Sequence, residues 1–325
     1  MNIPTALHKA INIIFIAVAT MPLALHAQAI YPARPIKLVV GFVAGGPSDV
    51  LARIIAHELN TSLGQAVIVD NRPGADANIA METVARSAPD GYTLMLAQSG
   101  MTINPAMYSN FKLKPDKDFT LIGMIGEAAN VLAVSSSVPA RSVAELIDYA
   151  RKNPGRLNFA SSSSPTRLAS EMLNSMAGTK IEMVPYKGTP PAITDLLGGT
   201  VQVMISSITT FQPQKQDPRL RFLATTGSTR SALLPELPTV SESGLPGYDA
   251  VTWYGLAGPA NLPAPVAQKL ERALAAALVK PEVLRQLGNL SINVTRKNPA
   301  EMADFLQRDL AKWTDVVTKS GAKVQ

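Results

Sequence analysis

The chain has 325 residues, a formal net charge of +6, 46% hydrophobic and 17% charged residues, no Cys and three His. Such a length suggests about two domains, each able to bury its own core, and so ordinary a composition excludes a disordered chain. Without Cys there are no disulfides, thiolate nucleophiles or Cys-based metal sites, and so few His weaken the case for hydrolytic triads and His-rich metal centres.

The first element in chain order is a leader, expected over residues 1–29. Lys9 is the only charged residue before Arg34, an apolar stretch runs from Ile11 to Leu25, and Ala27-Gln28-Ala29 supplies the small–x–small pattern that a signal peptidase cuts. As a membrane anchor the apolar run of about 15 residues falls short of the roughly 20 that span a bilayer. Cleavage is expected after Ala29, since a cut after Ala27 would leave Leu25 where a small residue is preferred. The mature chain then carries +5, because the leader holds Lys9 and no acidic residue, and it keeps only His57 of the three His. Its expected location is the periplasm, as a soluble protein held together by core packing alone.

Strand-like and helix-like stretches then alternate, the pattern of an α/β fold. Strands are expected at Ile36 to Phe42, Ala66 to Val69, Tyr92 to Leu96, Leu121 to Ile125, Val131 to Val134, Leu157 to Ala160, Ile181 to Val184, Val201 to Ile205 and Arg221 to Thr225. Helices are expected at Asp49 to Leu59, through Ala85 after the turn Asn71 to Asp76, and at Val143 to Lys152, Arg167 to Met176 and Ala192 to Leu197. The C-terminal third reads as helical, with Pro263 to Leu278, Pro281 to Leu287 and Ala300 to Val317, the last starting at Asn298 or Pro299.

Two places share the order strand, small-residue loop, Pro, hydroxyl residue, helix. One is Phe42-Val43-Ala44-Gly45-Gly46-Pro47-Ser48-Asp49 and the other is Ser161-Ser162-Ser163-Ser164-Pro165-Thr166. Pro suits a first helical turn, where its missing N–H is not needed. Gly and Ser let a ligand approach exposed backbone N–H groups, and the helix end adds partial positive charge. Each is therefore either an ordinary α/β turn or a carboxylate or phosphate cradle. Their recurrence in both halves favours a ligand held between two domains.

Other chemistry finds little support. The first loop lacks the Lys of a P-loop, Gly46 being followed by Pro47; neither a dinucleotide fingerprint nor Gly-x-Ser-x-Gly is present. His57 has no second His and is expected on a helix surface. Among the carboxylates nearest the candidate loops, Asp49 is expected to cap or support its loop, Asp195 to face solvent, and Asp76 stays open. Basic residues are scattered and aromatics are 5%, which argues against a nucleic-acid partner. Neither a cofactor nor a metal is expected.

The chain also resembles the Bug (TctC-like) extracytoplasmic solute receptors, the binding components of tripartite tricarboxylate transporters. The matching stretches are Tyr31-Pro32-Ala33-Arg34-Pro35-Ile36, Gly45 to Asp49, Asp70-Asn71-Arg72-Pro73-Gly74-Ala75 and Ala88-Pro89-Asp90-Gly91-Tyr92-Thr93-Leu94. They continue with Ser142 to Leu146, Val184 to Gly188, Thr194 to Gly199, Leu237 to Val240 and Trp253-Tyr254-Gly255-Leu256, in the family's order over nearly the whole mature chain.

The resemblance implies a type II periplasmic-binding-protein fold: two α/β domains with a ligand cleft between them, one from residues 30–126 and 250–325, the other from 127–249. It implies that a ligand carboxylate is held by backbone N–H groups of the two loops named above, with Gln98, Ser99, Tyr186, Ser206 and Ser207 as further contacts, and Lys187 as an additional candidate. It also implies membrane permease subunits as partners, a monomeric receptor and no catalysis. Two departures bear on specificity. Relatives usually have a longer, Gly-containing second loop, and often Asp-Asn in place of Ser206-Ser207. Losing a carboxylate there points away from an amino acid and toward a non-amino organic acid, aromatic or dicarboxylic. A cleft-carboxylate enzyme with Asp49 as base and an adaptor without a transporter are the competing readings.

Overall fold

A computed structural model describes residues 31–323; the expected leader and its cleavage site lie outside the described residues. The strands, in chain order, are β1 (Ile36–Val40), β2 (Val67–Asn71), β3 (Thr93–Gln98), β4 (Phe119–Ala128), β5 (Asn130–Ser135), β6 (Asn158–Ser161), β7 (Glu182–Pro185), β8 (Val203–Ser207), β9 (Leu220–Thr225), β10 (Thr252–Pro259) and β11 (Ile292–Val294). The α-helices are α1 (Pro47–Leu63), α2 (Asn78–Ala85), α3 (Gly100–Met107), α4 (Val143–Lys152), α5 (Ser164–Ala177), α6 (Thr189–Gly198), α7 (Ile208–Phe211), α8 (Ala264–Ala277), α9 (Pro281–Asn289) and α10 (Pro299–Ser320).

The strands form two sheets, ordered β11-β4-β10-β3-β1-β2 and β7-β6-β8-β5-β9. Apart from the added edge strand β11, the orders match. In each, a parallel first–second and first–third pair is followed by an antiparallel strand that arrives from the other half of the chain. The repeated loop pattern in the sequence is thereby explained: β1–α1 and β6–α5 are the same junction in two sheets. In open α/β sheets ligands bind outside the carboxyl ends of such parallel strands.

Only Ala129 separates β4 of the first sheet from β5 of the second, and the chain returns from β9 to β10. Thr226 ties the two crossings together. Its hydroxyl accepts from the Asn130 N–H at 2.9 Å and donates to the Ala250 carbonyl at 2.8 Å, while the Ala250 N–H reaches the Thr226 carbonyl.

The first sheet buries Ile36, Leu38 and Val40 of β1 beneath Leu51, Ile55 and Leu59 of α1, residues at helical spacing. The second sheet has its own core around Leu132, Phe159, Val203 and Ile205. Helix α10 serves both. A capping box between Asn298 and Glu301 starts it; Met302 and Leu306 then pack with Trp253 of the first sheet, and Trp313, Val316 and Val317 join the second core. Trp313 is fully buried, so its truncation to Ala would cost about 3–5 kcal/mol.

Several elements differ from the sequence expectation. Helices α1, α5 and α6 begin two or three residues early because Pro47, Pro165 and Pro190 occupy the first helical turn. The helices α3 and α7 and the strands β10 and β11 are additions. Strand β10 hides its pattern in Gly255 and Gly258. A Cβ on Gly255 would stand 2.5 Å from Met302 Cε and 3.0 Å from the Gly123 carbonyl oxygen, so close packing excludes larger residues there.

Candidate ligand-binding site

The β1–α1 loop is fixed by one carboxylate. Asp49 is buried at 3% exposure; its Oδ2 accepts from the Gly45 N–H and from Arg53 Nε, both at 2.9 Å, and its Oδ1 accepts from Asn71 Nδ2 at 3.0 Å. The Asn71 amide also donates to the Phe42 carbonyl at 3.0 Å, pinning the start of the loop to the end of β2. The Arg53 hydrogen bond, helped by those from Gly45 and Asn71 and opposed by burial, lowers the Asp49 pKa to about 2. Gly45, at φ +83°, makes the turn that brings its N–H onto this carboxylate. The Gly45 donor is thus used inside the loop. By contrast, the N–H groups of Val43, Ala44, Gly46 and Ser48 meet no acceptor among the described residues, and α1 has no side-chain cap. Phe42 and Val43 are exposed beside them. Next to this loop, Ser48 Oγ donates to Gln98 Oε1 at 3.1 Å, leaving a buried Gln98 Nε2 donor without a partner.

The β6–α5 loop is held by hydroxyl groups. Ser161 Oγ donates to the Ser163 carbonyl at 3.1 Å, Thr166 Oγ1 lies 3.0 Å from Ser163 Oγ, and Ser162 Oγ lies 3.2 Å from Thr189 Oγ1 of α6. The N–H groups of Ser162, Ser163 and Ser164 also meet no acceptor among the described residues, and α5 is uncapped. Each junction therefore presents a helix N-terminus with several unused donors, suited to an anion. Helices α4 and α10, in contrast, have their first N–H groups capped by Ser142 and Asn298.

The remaining expected contacts divide. Ser206 is the penultimate residue of β8, the neighbour of β6, at the same end of the sheet as the second loop. Ser207 caps α7, accepting from the Thr210 N–H at 3.2 Å. The Ser99 hydroxyl is fully buried and accepts from the Trp253 N–H at 2.9 Å, anchoring α3 to β10. The Tyr186 hydroxyl donates to Asp195 Oδ2 at 2.6 Å, and burial together with that carboxylate raises its pKa to about 12. Asp195, expected to face solvent, is instead half-buried against Tyr186. Lys187 and His57 are exposed, His57 on α1.

The family model for the tripartite tricarboxylate transporter family receptor matches residues 51–322. The chain belongs to this family. It is 33% identical over 316 residues to BugT of Bordetella pertussis, covering 96% of this chain and 97% of BugT. A protein from the tcbD–tcbE intergenic region of a Pseudomonas species is 34% identical over 292 residues, 89% of this chain and 87% of that one. Among solved structures, a Rhodopseudomonas palustris protein with adipate superimposes with a TM-score of 0.79 at 34% identity, over 90% of this chain and 98% of that one. MatC of the same organism, with bound malate, gives 0.74 at 31% identity, over 88% and 100%. The receptor therefore has the type II periplasmic-binding-protein fold, two α/β lobes facing each other across a cleft.

Three residues beside the second loop are not singled out as contacts by the sequence. Asp76 Oδ2 accepts from the Ser164 hydroxyl of the second loop and from the Tyr108 hydroxyl at 2.8 Å. Burial, with Asp76 adding to it and Ser164 opposing, pushes the Tyr108 phenol above its usual range. Arg167, in the first turn of α5, has a buried Nε without a partner among the described residues. Only the Asp76 turn signal was visible in sequence; the contact itself spans 88 positions. A cavity of about 400 Å³ lies away from both loops, between Ser228, Arg230 and Leu233 on one side and Leu284 and Asn293 on the other.

Proposed function

We propose that the receptor captures a small, carboxylate-bearing organic acid between its lobes and delivers it to a membrane permease of the tripartite tricarboxylate type, or reports its presence as a sensor. The carrying observation is the pair of equivalent, uncapped strand–helix junctions with unused backbone donors. A desolvated carboxylate needs such donors, and charge-assisted bonds to them are strong. Adipate and malate in two related structures support the same ligand class. Hinge closure would rotate the lobe of residues 30–126 and 250–325 against that of residues 127–249 about the Thr226-linked crossings.

The protein works as a secreted monomer in the periplasm, freed by cleavage after Ala29. Among the described residues no helix is long and apolar enough to cross a membrane. It binds without chemistry. A general base works best with a pKa near the operating pH, whereas Asp49, the candidate for that role, is held near 2 by Arg53, Gly45 and Asn71.

Mass spectrometry of small molecules released from the natively purified protein, followed by calorimetry with organic and amino acids, tests this function. An intact organic acid that rebinds is the expected result. Turnover during incubation would establish an enzyme, and binding of amino acids alone would overturn the ligand class.

A further inference from the structure

The turn carrying Asp76 lies between the two loops. On one side Ala77 packs against the start of the first loop, so closely that a Cβ on Gly41 would come within 2.2 Å of Ala77 Cβ. On the other, the Asp76 carboxylate reaches Ser164, the first residue of α5. The turn is costly. Ala75, Asp76 and Ala77 have φ values of +46°, +49° and +70°, a region that disfavours residues with a Cβ by about 1–2 kcal/mol each. It is held by the Asn104 amide, which donates to the Asp76 carbonyl at 2.9 Å and to Asn78 Oδ1 at 2.6 Å. Among the described residues the carboxylate so positioned accepts from the Ser164 and Tyr108 hydroxyls alone and is in no ion pair.

We propose that Asp76 determines specificity by setting the receptor's own carboxylate beside the second loop's anion position, against the Ser164 hydroxyl. This rests on the organic-acid reading above and narrows it. A ligand carboxylate fits at the first loop, where Val43, Ala44, Gly46 and Gln98 offer donors and the neighbouring carboxylate of Asp49 is already paired. At the second loop, another ligand carboxylate meets a fixed negative charge. A hydroxyl at that end meets an acceptor instead. The preferred ligand is thus a monocarboxylate with a hydrogen-bond-donating far end, and a dicarboxylate is rejected by like-charge repulsion.

Calorimetry with succinate and adipate against their ω-hydroxy monocarboxylate counterparts, for the wild type, Asp76→Asn and Asp76→Gly, tests the assignment. The wild type should bind the hydroxy acids at least about tenfold more tightly than the matched dicarboxylates, and both variants should erase that margin, chiefly by binding the dicarboxylates better. Gly suits the positive φ of this position, so Asp76→Gly folds even where the Asn variant is unstable. Ser164→Ala, which keeps the charge, should retain the preference. An unchanged margin in both Asp76 variants, or a dicarboxylate preference in the wild type, overturns the role of Asp76 with the receptor reading intact. If no acid of any kind binds any of the four proteins, the organic-acid reading falls and this assignment with it.

Discussion

The β1–α1 and β6–α5 loops occupy equivalent places in their sheets, yet they are held by different chemistry. After β1, one buried carboxylate gathers a guanidinium, an amide and a backbone N–H. After β6, the contacts are hydroxyl to hydroxyl or hydroxyl to carbonyl, and the charge comes from Asp76 of the other lobe. A charge-assisted brace fixes geometry, whereas rotating hydroxyls accept several arrangements at similar energy. On the proposed function, the first loop is then a rigid seat for one anionic group and the second the adaptable side on which specificity is set.

Substitutions in the two loops should separate these roles. The largest effect is expected from Gly45→Pro, which removes the N–H bonded to Asp49 and cannot adopt φ +83°. Titration calorimetry should show organic-acid affinity reduced more than about a hundredfold, with the fold retained by circular dichroism. Unaltered affinity would mean that the first loop does not hold the carboxylate. Asp49→Ala leaves three donors without their acceptor. The Arg53 side chain, 57% exposed, rehydrates readily, so the expected loss is about 2 kcal/mol in urea unfolding rather than the full cost of a broken buried pair.

The same carboxylate gives a pH signature. Its pKa is lowered from 3.8 to about 2 in the folded state, so its contribution to stability is complete above its unfolded pKa and is lost as pH falls from there toward 2. The stability difference between wild type and Asp49→Asn should shrink over that interval in acid titrations; a difference independent of pH would refute the brace. Gly45→Ala keeps the N–H but carries a Cβ into the left-handed region, with nothing within 4 Å to clash. Unfolding should register a cost of about 1 kcal/mol and binding should survive. Smallest of all, Thr166→Val in the second loop should cost about 0.5–1 kcal/mol, since Ser161 and Ser163 retain other hydrogen-bond options. A larger loss there would make the two loops equally rigid.

Both loops were legible in the sequence because their signals are local: strand, small residues, Pro, hydroxyl, helix. The supporting role of Asp49 was equally accessible, four residues from its glycine and four from its arginine. Strand β10 was harder, because its glycines answer to Met302 and Gly123 far along the chain. Tyr186 and Ser99 were read as ligand contacts from resemblance, and their hydroxyls bond Asp195 and the Trp253 backbone. Asp76 was visible as a turn residue only. Its left-handed backbone is not what an Ala-Asp-Ala stretch suggests, and its partner Ser164 starts a helix of the other lobe.

Helix α10 has one end embedded beneath each sheet. A helix of 22 residues is about 33 Å of stiff rod, clamped at both ends by buried aromatic and aliphatic side chains. Jaw-like gaping would pry one clamp loose, whereas a swivel about the rod's long axis leaves both seated. A closing motion that turns about the rod's axis therefore costs less than one that pulls either end from its core.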